Sequence, residues 1–406
     1  MILIIESEKK LKQWIETNGF AGYDPYDLYS QVPHFRKVIY SKNFFIKNSV
    51  SKMYGILDKF FPLLLRRVFR VKKTINSKGM ALLGLGYIFR YLNFREEKDL
   101  QKVYQISEWL LNNRNKIYPG FCWGYPFDWQ SRIFIPEGTP SVVVSYAVGE
   151  FFLKAFELTN EKKFFDVVLG VCKFITEGLN KTKLDDDKFC FSYTPIDNFQ
   201  VHNANLFAAE FLIRIGITYD IPDYIELGLA ATKFTLSQQL PNGSLNYWGN
   251  EQNYSTKNKN DHYHVGFEIR LLSSIGKLTN NDVILKSAEK YYNFYINNLI
   301  YHNNQEFIPK MYPEKTFPLD IHACAESIIL NTRLFELFSN MEFIELANKL
   351  SIWIINNMQN KNGSFSYCRW KYLNFYYNVK IPYLRWGQAW MFYALNYLIY
   401  NLNRIN

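Results

Sequence analysis

The chain has 406 residues, 48% of them hydrophobic and 18% aromatic, so it can bury a sizeable core. Five scattered cysteines without a C-x-x-C pair argue against a disulfide framework and a cysteine-ligated zinc site, and no apolar run reaches transmembrane length. A net charge of +10 asks for an acidic partner, but no nucleic-acid-binding module accompanies it, so nucleic acid is not an expected partner.

Taken in chain order, Met1-Ile2-Leu3-Ile4-Ile5 is too short for a signal peptide and runs into Glu6, Glu8, Lys9 and Lys10. With reduced cysteines, this reads as a cytoplasmic protein. Residues 1–50 read as an extension packed on the main domain. Residues 51–70 read as a helix whose end, Leu63-Leu64-Leu65-Arg66-Arg67-Val68-Phe69-Arg70-Val71-Lys72-Lys73, mixes apolar and basic side chains. Two readings compete there: peripheral contact with an anionic inner membrane, or an outer helix with its leucines packed inward. The second is preferred, because the repeat that follows needs one more helix to close.

That repeat recurs six times, at a spacing of about sixty residues, from inner-helix starts near Lys78, Thr139, His202, His264, His322 and Arg385. Amphipathic helices are expected between them at 97–113, 161–179, 221–240, 282–299 and 342–358. Short aromatic strands are expected at 121–125, 189–193, 243–247, 307–312 and 363–367. Stretches such as Val142 to Leu153 and Met391 to Tyr400 are apolar on nearly all sides and require covering, whereas the second helix set carries one apolar stripe. The fold class is therefore all-α, an (α/α)6 toroid formed by residues 51–406 and sealed by the helix at 51–70. Gly84-Leu85-Gly86 lies inside a helical run and reads as helix packing, not a phosphate loop. Asp185-Asp186-Asp187 reads as a solvated loop.

Chemistry gathers where the repeats turn into inner helices. His202, His264 and His322 recur at matching places, and Glu268 and Glu326 follow the last two by one turn, which suits a base oriented by a carboxylate. Helix capping is the competing reading. A three-histidine zinc site would require all three to converge, and neither a metal nor a cofactor is expected. Asp128, Glu137 and Asp197 join the histidines as acid–base candidates. Asp261 and Asp320 also suit N-caps, and His262 reads as facing away from His264. Trp123, Tyr125, Trp129, Arg132, Tyr247, Trp248, Asp261, Asp320, Tyr383, Arg385 and Trp386 form the expected binding surface. Rings would stack on sugar faces, charges would bond hydroxyls, and converging helix N-termini would favour an anionic group.

The stretches Gly22-Tyr23-Asp24-Pro25-Tyr26-Asp27, Cys122 to Arg132, Ser192-Tyr193-Thr194-Pro195, Asp320-Ile321-His322 and Ile381 to Met391 resemble a poorly characterised bacterial toroid family associated with surface-polysaccharide biosynthesis. At fold level the chain is similar to six-hairpin sugar enzymes, such as N-acylglucosamine 2-epimerases and unsaturated glucuronyl hydrolases. Those use paired histidines and aspartates respectively, and neither motif set matches closely enough to carry a residue over. Gln239-x-x-x-Gly243 and Gln359-x-x-x-Gly363 resemble terpene-cyclase repeats, but the acidic cyclase motif is absent. The resemblance implies a glycan-modifying enzyme (epimerase, lyase or hydrolase) acting on a glycan or a nucleotide- or lipid-linked sugar. The alternative is a non-catalytic toroid that binds glycan and works with a glycosyltransferase.

Overall fold

In the computed structural model, residues 1–39, 43, 49–252, 260–303, 306–373 and 375–405 are described. The chain begins with α1 (Ile2–Asn18), α2 (Asp27–Gln31), α3 (Pro33–Ile39), α4 (Ser51–Phe60) and α5 (Pro62–Val68). Inner and outer helices then alternate: α6 (Ser77–Phe94) and α7 (Glu97–Asn112), α8 (Val142–Thr159) and α9 (Lys162–Lys173), α10 (His202–Tyr219) and α11 (Pro222–Leu236). The series continues with α12 (His262–Leu278) and α13 (Asp282–Leu299), then α14 (Ile321–Phe338) and α15 (Met341–Met358). It ends with α16 (Ala389–Asn403), which is entered through a π-helical turn at Leu384–Gln388. Each inner helix packs on the next and α16 returns to α6, so the ring is closed and the fold is an (α/α)6 toroid.

Local sequence explains the helix boundaries. Asn76, Ser141, Asp261 and Asp320 each accept a first-turn N–H through the side chain, as N-caps do. Arg95, Asn160, Asp220 and Ser339 end four inner helices at φ between 54° and 57°, turning the chain sharply into the outer layer. Gly84 and Gly86 act as packing residues. A Cβ on either would fall 2.4 Å from Phe151 or Phe392 of the flanking inner helices. Asp185, Asp186 and Asp187 are exposed, as a solvated loop requires.

The sixth outer position is held by α1, not by residues 51–70, and this corrects both the closing helix and the domain division read from sequence. Ile4, Leu11 and Ile15 of α1 are fully buried, and the helix packs on α15 and α16. The Gln-x-x-x-Gly segments show the equivalence. Gln239 Nε2 donates to Ser287 O of α13, and a Cβ on Gly243 would meet Lys290 O. Gln359 Nε2 donates to Ser7 O of α1, and a Cβ on Gly363 would meet Lys10 O. α1 therefore stands to α15 as α13 stands to α11. Leu63 and Leu64, expected to pack inward, are about half exposed.

The described residues between 20 and 75 instead form a cap on the side of the ring where the inner helices begin. Gly22 bridges Thr74, and Tyr23 O accepts from Leu384 N. Leu28, Val32, Phe35 and Val71 make a small core of their own. Buried Arg66 joins Asp27 at 2.8 Å and donates to Asp24 O at 3.2 Å.

The strands are shorter than expected. At 121–125, 243–247 and 363–367 only isolated bridges form, while β1 (Trp129–Gln130), β2 (Phe134–Ile135), β3 (Lys181–Asp185), β4 (Lys188–Phe191), β5 (Ile300–His302) and β6 (Phe307–Pro309) pair as small hairpins. A three-stranded sheet of β7 (Leu319–Asp320), β8 (Cys368–Tyr372) and β9 (Phe375–Val379) was not anticipated. No helix among the described residues is long and apolar enough to cross a membrane.

Candidate active site at the mouth of the ring

A 120 Å³ cavity lies under the cap, at the N-terminal ends of the inner helices. Its floor follows one register rule. The second residue of each inner helix lines it: Lys78, Val143, Asn203, Tyr263, His322 and, on the π-helical turn, Arg385. Six helix N-termini are thus gathered around one space, and their dipoles favour negative charge there. Aromatic rings form the walls, with Tyr26 from the cap, Tyr125, Phe127 and Trp129 from the loop before α8, and Tyr193, Tyr247 and Trp386 from later repeats.

His322 is held between rings. Tyr263 stacks on it at 4.4 Å between centroids with a 2° interplanar angle, and Trp390 covers it at 4.6 Å. Both of its ring nitrogens are buried and have no hydrogen-bond partner among the described residues. Burial, reinforced by Lys78 and Arg385 nearby, holds its pKa well below the ordinary histidine value, so the imidazole is neutral. Lys78 Nζ lies 5.3 Å from the Trp390 ring centre and 5.7 Å from that of Phe267, and makes no hydrogen bond or ion pair with the described residues. Burial first, and then the Arg385 charge, bring its pKa down to about 7. Arg385 is committed: its Nε and Nη2 donate to the two oxygens of Asp24. His264 Nδ1 lies 2.8 Å from Asp261 Oδ1, close enough for an ion pair but not aligned as a hydrogen bond.

Of the residues expected at the site, His264, His322, Tyr125, Trp129, Tyr247, Arg385 and Trp386 line the cavity. Asp261 and Asp320 are the caps that the capping reading expected, and Asp320 also accepts Trp386 Nε1 at 3.0 Å. The others lie elsewhere. His202 is the first residue of α10 and turns outward, with Nδ1 3.3 Å from Thr235 Oγ1 of α11. His262, first in α12, also faces outward, to Lys310 O and Tyr295. The three histidines of the zinc alternative therefore do not converge. Among the described residues, no group of three His, Cys, Asp or Glu side chains is placed to hold a metal ion.

Asp128 sits on the rim, paired with Arg36 at 2.7 Å and accepting from Glu137 N, while Glu137 itself is exposed. Arg132 is exposed over the Trp248 ring and donates to Gln252 O at 3.0 Å. Asp197 is consumed by its own turn, accepting from the backbones of Tyr193, Thr194 and Phe199. Trp123 is core and donates to Leu110 O, and Tyr383 is buried beneath Arg66. Glu268 and Glu326 do not orient the histidines. Glu268 turns to Tyr291 and Asn260 behind α12, and Glu326 accepts from Arg270 at 2.7 Å.

Lys78, Asn203, Tyr263 and Tyr26 carry no assigned role in the sequence reading. The caps at Asn76 and Asp261 carried the signal for two of these side chains, Lys78 and Tyr263, because they fix which residue is second in its helix. A 40 Å³ cavity at the opposite end of the ring is lined by Glu150, Glu210, Arg214, Arg270, Arg333 and Glu336. Their charges are paired with one another and with Glu326, which makes them an ion-pair network.

No family model and no curated relative matches the chain. Solved structures do match. The Lin0763 protein of Listeria innocua superimposes with a TM-score of 0.64 at 13% identity, over 99% of this chain and 98% of that one. A GH76 α-mannanase of Bacteroides thetaiotaomicron gives 0.60 at 12% identity, over 81% and 87%. A sugar epimerase from a ruminal bacterium gives 0.58 at 11% identity, over 80% and 87%. At these identities the likeness is one of fold, and the similarity to six-hairpin sugar enzymes expected from sequence is seen at that level.

Proposed function

We propose that the chain is a carbohydrate-active enzyme that moves a proton at a sugar carbon inside the mouth cavity, as an epimerase or isomerase does. The observation that carries this reading is the pair of uncommitted bases, Lys78 and His322, buried side by side against aromatic walls. A proton on the carbon beside a carbonyl is removed by a neutral base, and both groups are held toward that state near neutral pH. The base that took the proton gives the isomer by delivering it to the neighbouring carbon, whereas the epimer requires the second base to carry a proton of its own and deliver it to the other face of the same carbon.

Hydrolysis by the usual carboxylate pair is disfavoured, since the described residues lining the cavity include no Asp or Glu. Solved structures sharing the fold include proteins named as a sugar epimerase, a D-mannose isomerase and a cellobiose 2-epimerase, which supports the same class. The converging helix N-termini favour a sugar bearing a carboxylate or phosphate, and the expected setting is surface-polysaccharide biosynthesis.

The test is incubation with reducing sugars, uronates and nucleotide sugars in deuterated water. Deuterium entering at the carbon next to the carbonyl is the expected result. New reducing ends would indicate hydrolysis, and saturable binding without either change would indicate a glycan-binding toroid.

A further inference from the structure

We propose that the face made by α4, α5 and the β8–β9 hairpin tip docks on an anionic lipid bilayer. This goes beyond the reading of the cavity and does not depend on the chemistry there. Among the described residues the face is apolar and open: Ile56 is 57% exposed, Phe61 54%, Leu64 53%, Val68 62%, Leu373 91% and Phe375 60%. The two parts form one surface, since Lys59 Nζ sits 3.2 Å from the Trp370 ring centre and Tyr377 OH donates to Phe60 O at 3.3 Å. A contiguous patch of this kind marks an interaction site.

Charge identifies the occupant. Lys52, Arg67, Arg70, Lys72 and Lys371 are exposed among these apolar side chains. Residues 51–73 contain one acid, Asp58, which is paired with Arg66, and residues 368–380 contain none. Lysine is depleted in the apolar centre of protein interfaces, whereas a bilayer surface takes up apolar side chains while lysine and arginine reach the headgroups. The hairpin tip projects its least covered residue, Leu373, as an inserting element does. On the inward side of the same face, Arg66 holds Asp27 and the Asp24 carbonyl, so a docked bilayer would lie against the back of the cavity roof.

The experiment is co-sedimentation of the full chain with vesicles of phosphatidylcholine alone and of phosphatidylcholine mixed equally with phosphatidylglycerol. Binding to the anionic vesicles, weakened by salt, is expected. Arg67→Gln with Arg70→Gln should weaken it roughly thirtyfold, given the contribution of each basic residue at an anionic surface. Leu64→Ser with Leu373→Ser should weaken it about tenfold or more. Val283→Ser, a 72% exposed position on the outer wall, should leave it unchanged. Leu373→Ser alone keeps the test valid if the double variant does not fold, because that side chain stands almost free. Absence of binding, equal binding to both vesicles, or insensitivity to these substitutions would overturn the proposal. So would a concentration-dependent dimer broken by Leu373→Ser without vesicle binding, which would make a second copy the occupant.

Discussion

Arg385 donates to Asp24 through Nε at 2.6 Å and through Nη2 at 2.8 Å, a bidentate pair joining positions 361 residues apart. It fastens the cap segment to the head of the sixth inner helix, and both partners are buried. The geometry suits guanidinium and carboxylate, and it leaves Arg385 without a free charge for ligand. Asp24→Asn should therefore cost about 3–5 kcal/mol, since the guanidinium stays buried without its counter-charge. Urea titration of purified protein is the check; a variant with the wild-type midpoint and slope would show that the cap is held by its apolar contacts.

Ring closure by α1 makes a second prediction. Gly363 has φ +90°, and a Cβ there would stand 2.2 Å from Lys10 O, while Gly19, at φ +72°, has nothing within 4 Å of the same added atom. Gly363→Ala combines backbone strain with a clash against α1 and should cost roughly 2 kcal/mol or more, against about 1 kcal/mol for Gly19→Ala. Equal losses at the two positions would mean that the Gly363 turn does not press on α1.

Deleting residues 1–18 should abolish soluble expression, because it uncovers the apolar faces of α15 and α16. Fractionation of expressed material decides this. Soluble, folded protein without α1 would show that the ring tolerates an open sixth position.

The six-fold period, the inner–outer alternation and the caps at Asp261 and Asp320 were legible because each is local or periodic. The closing helix was not. The Leu63-Leu64-Leu65 run is more apolar than any stretch of α1 beyond Ile5, so pattern alone assigns it to the interior, and only its tertiary placement leaves it exposed. His202 was misread by one residue. One step along a helix rotates a side chain by about 100°, so His202, first in α10, faces the outer layer while Asn203 faces the mouth. Matching His202 to His322 by approximate repeat position could not resolve that rotation.

His322→Gln should lower turnover of a responsive sugar on the order of a hundredfold, with little loss of stability, since glutamine cannot exchange a proton as imidazole does. Thermal melts and kcat measured on the same preparations separate the two effects. Unchanged turnover with a lowered melting temperature would make His322 a packing residue between Tyr263 and Trp390.

Lys78 yields the most discriminating prediction, because its protonation couples folding to activity. Its pKa falls from the ordinary 10.5 to about 7 through burial first and the Arg385 charge second, with Arg270 adding to the decrease and Glu326 opposing it. Between those pH values the unfolded chain holds a proton that the folded chain has released, so this group makes stability rise with pH across the window. The slope can reach about 1.4 kcal/mol per pH unit, and the destabilisation is fully present below pH 7. Lys78→Met removes the ionisable group. It should be more stable than wild type at pH 6, with the advantage shrinking toward pH 10. Activity should follow the neutral amine, so kcat/KM in the wild type rises through about pH 7, whereas Lys78→Arg, cationic at every accessible pH, is inactive. A methionine variant less stable than wild type by the same amount at every pH would mean that Lys78 is a paired cation. The base in the cavity would then be His322 alone.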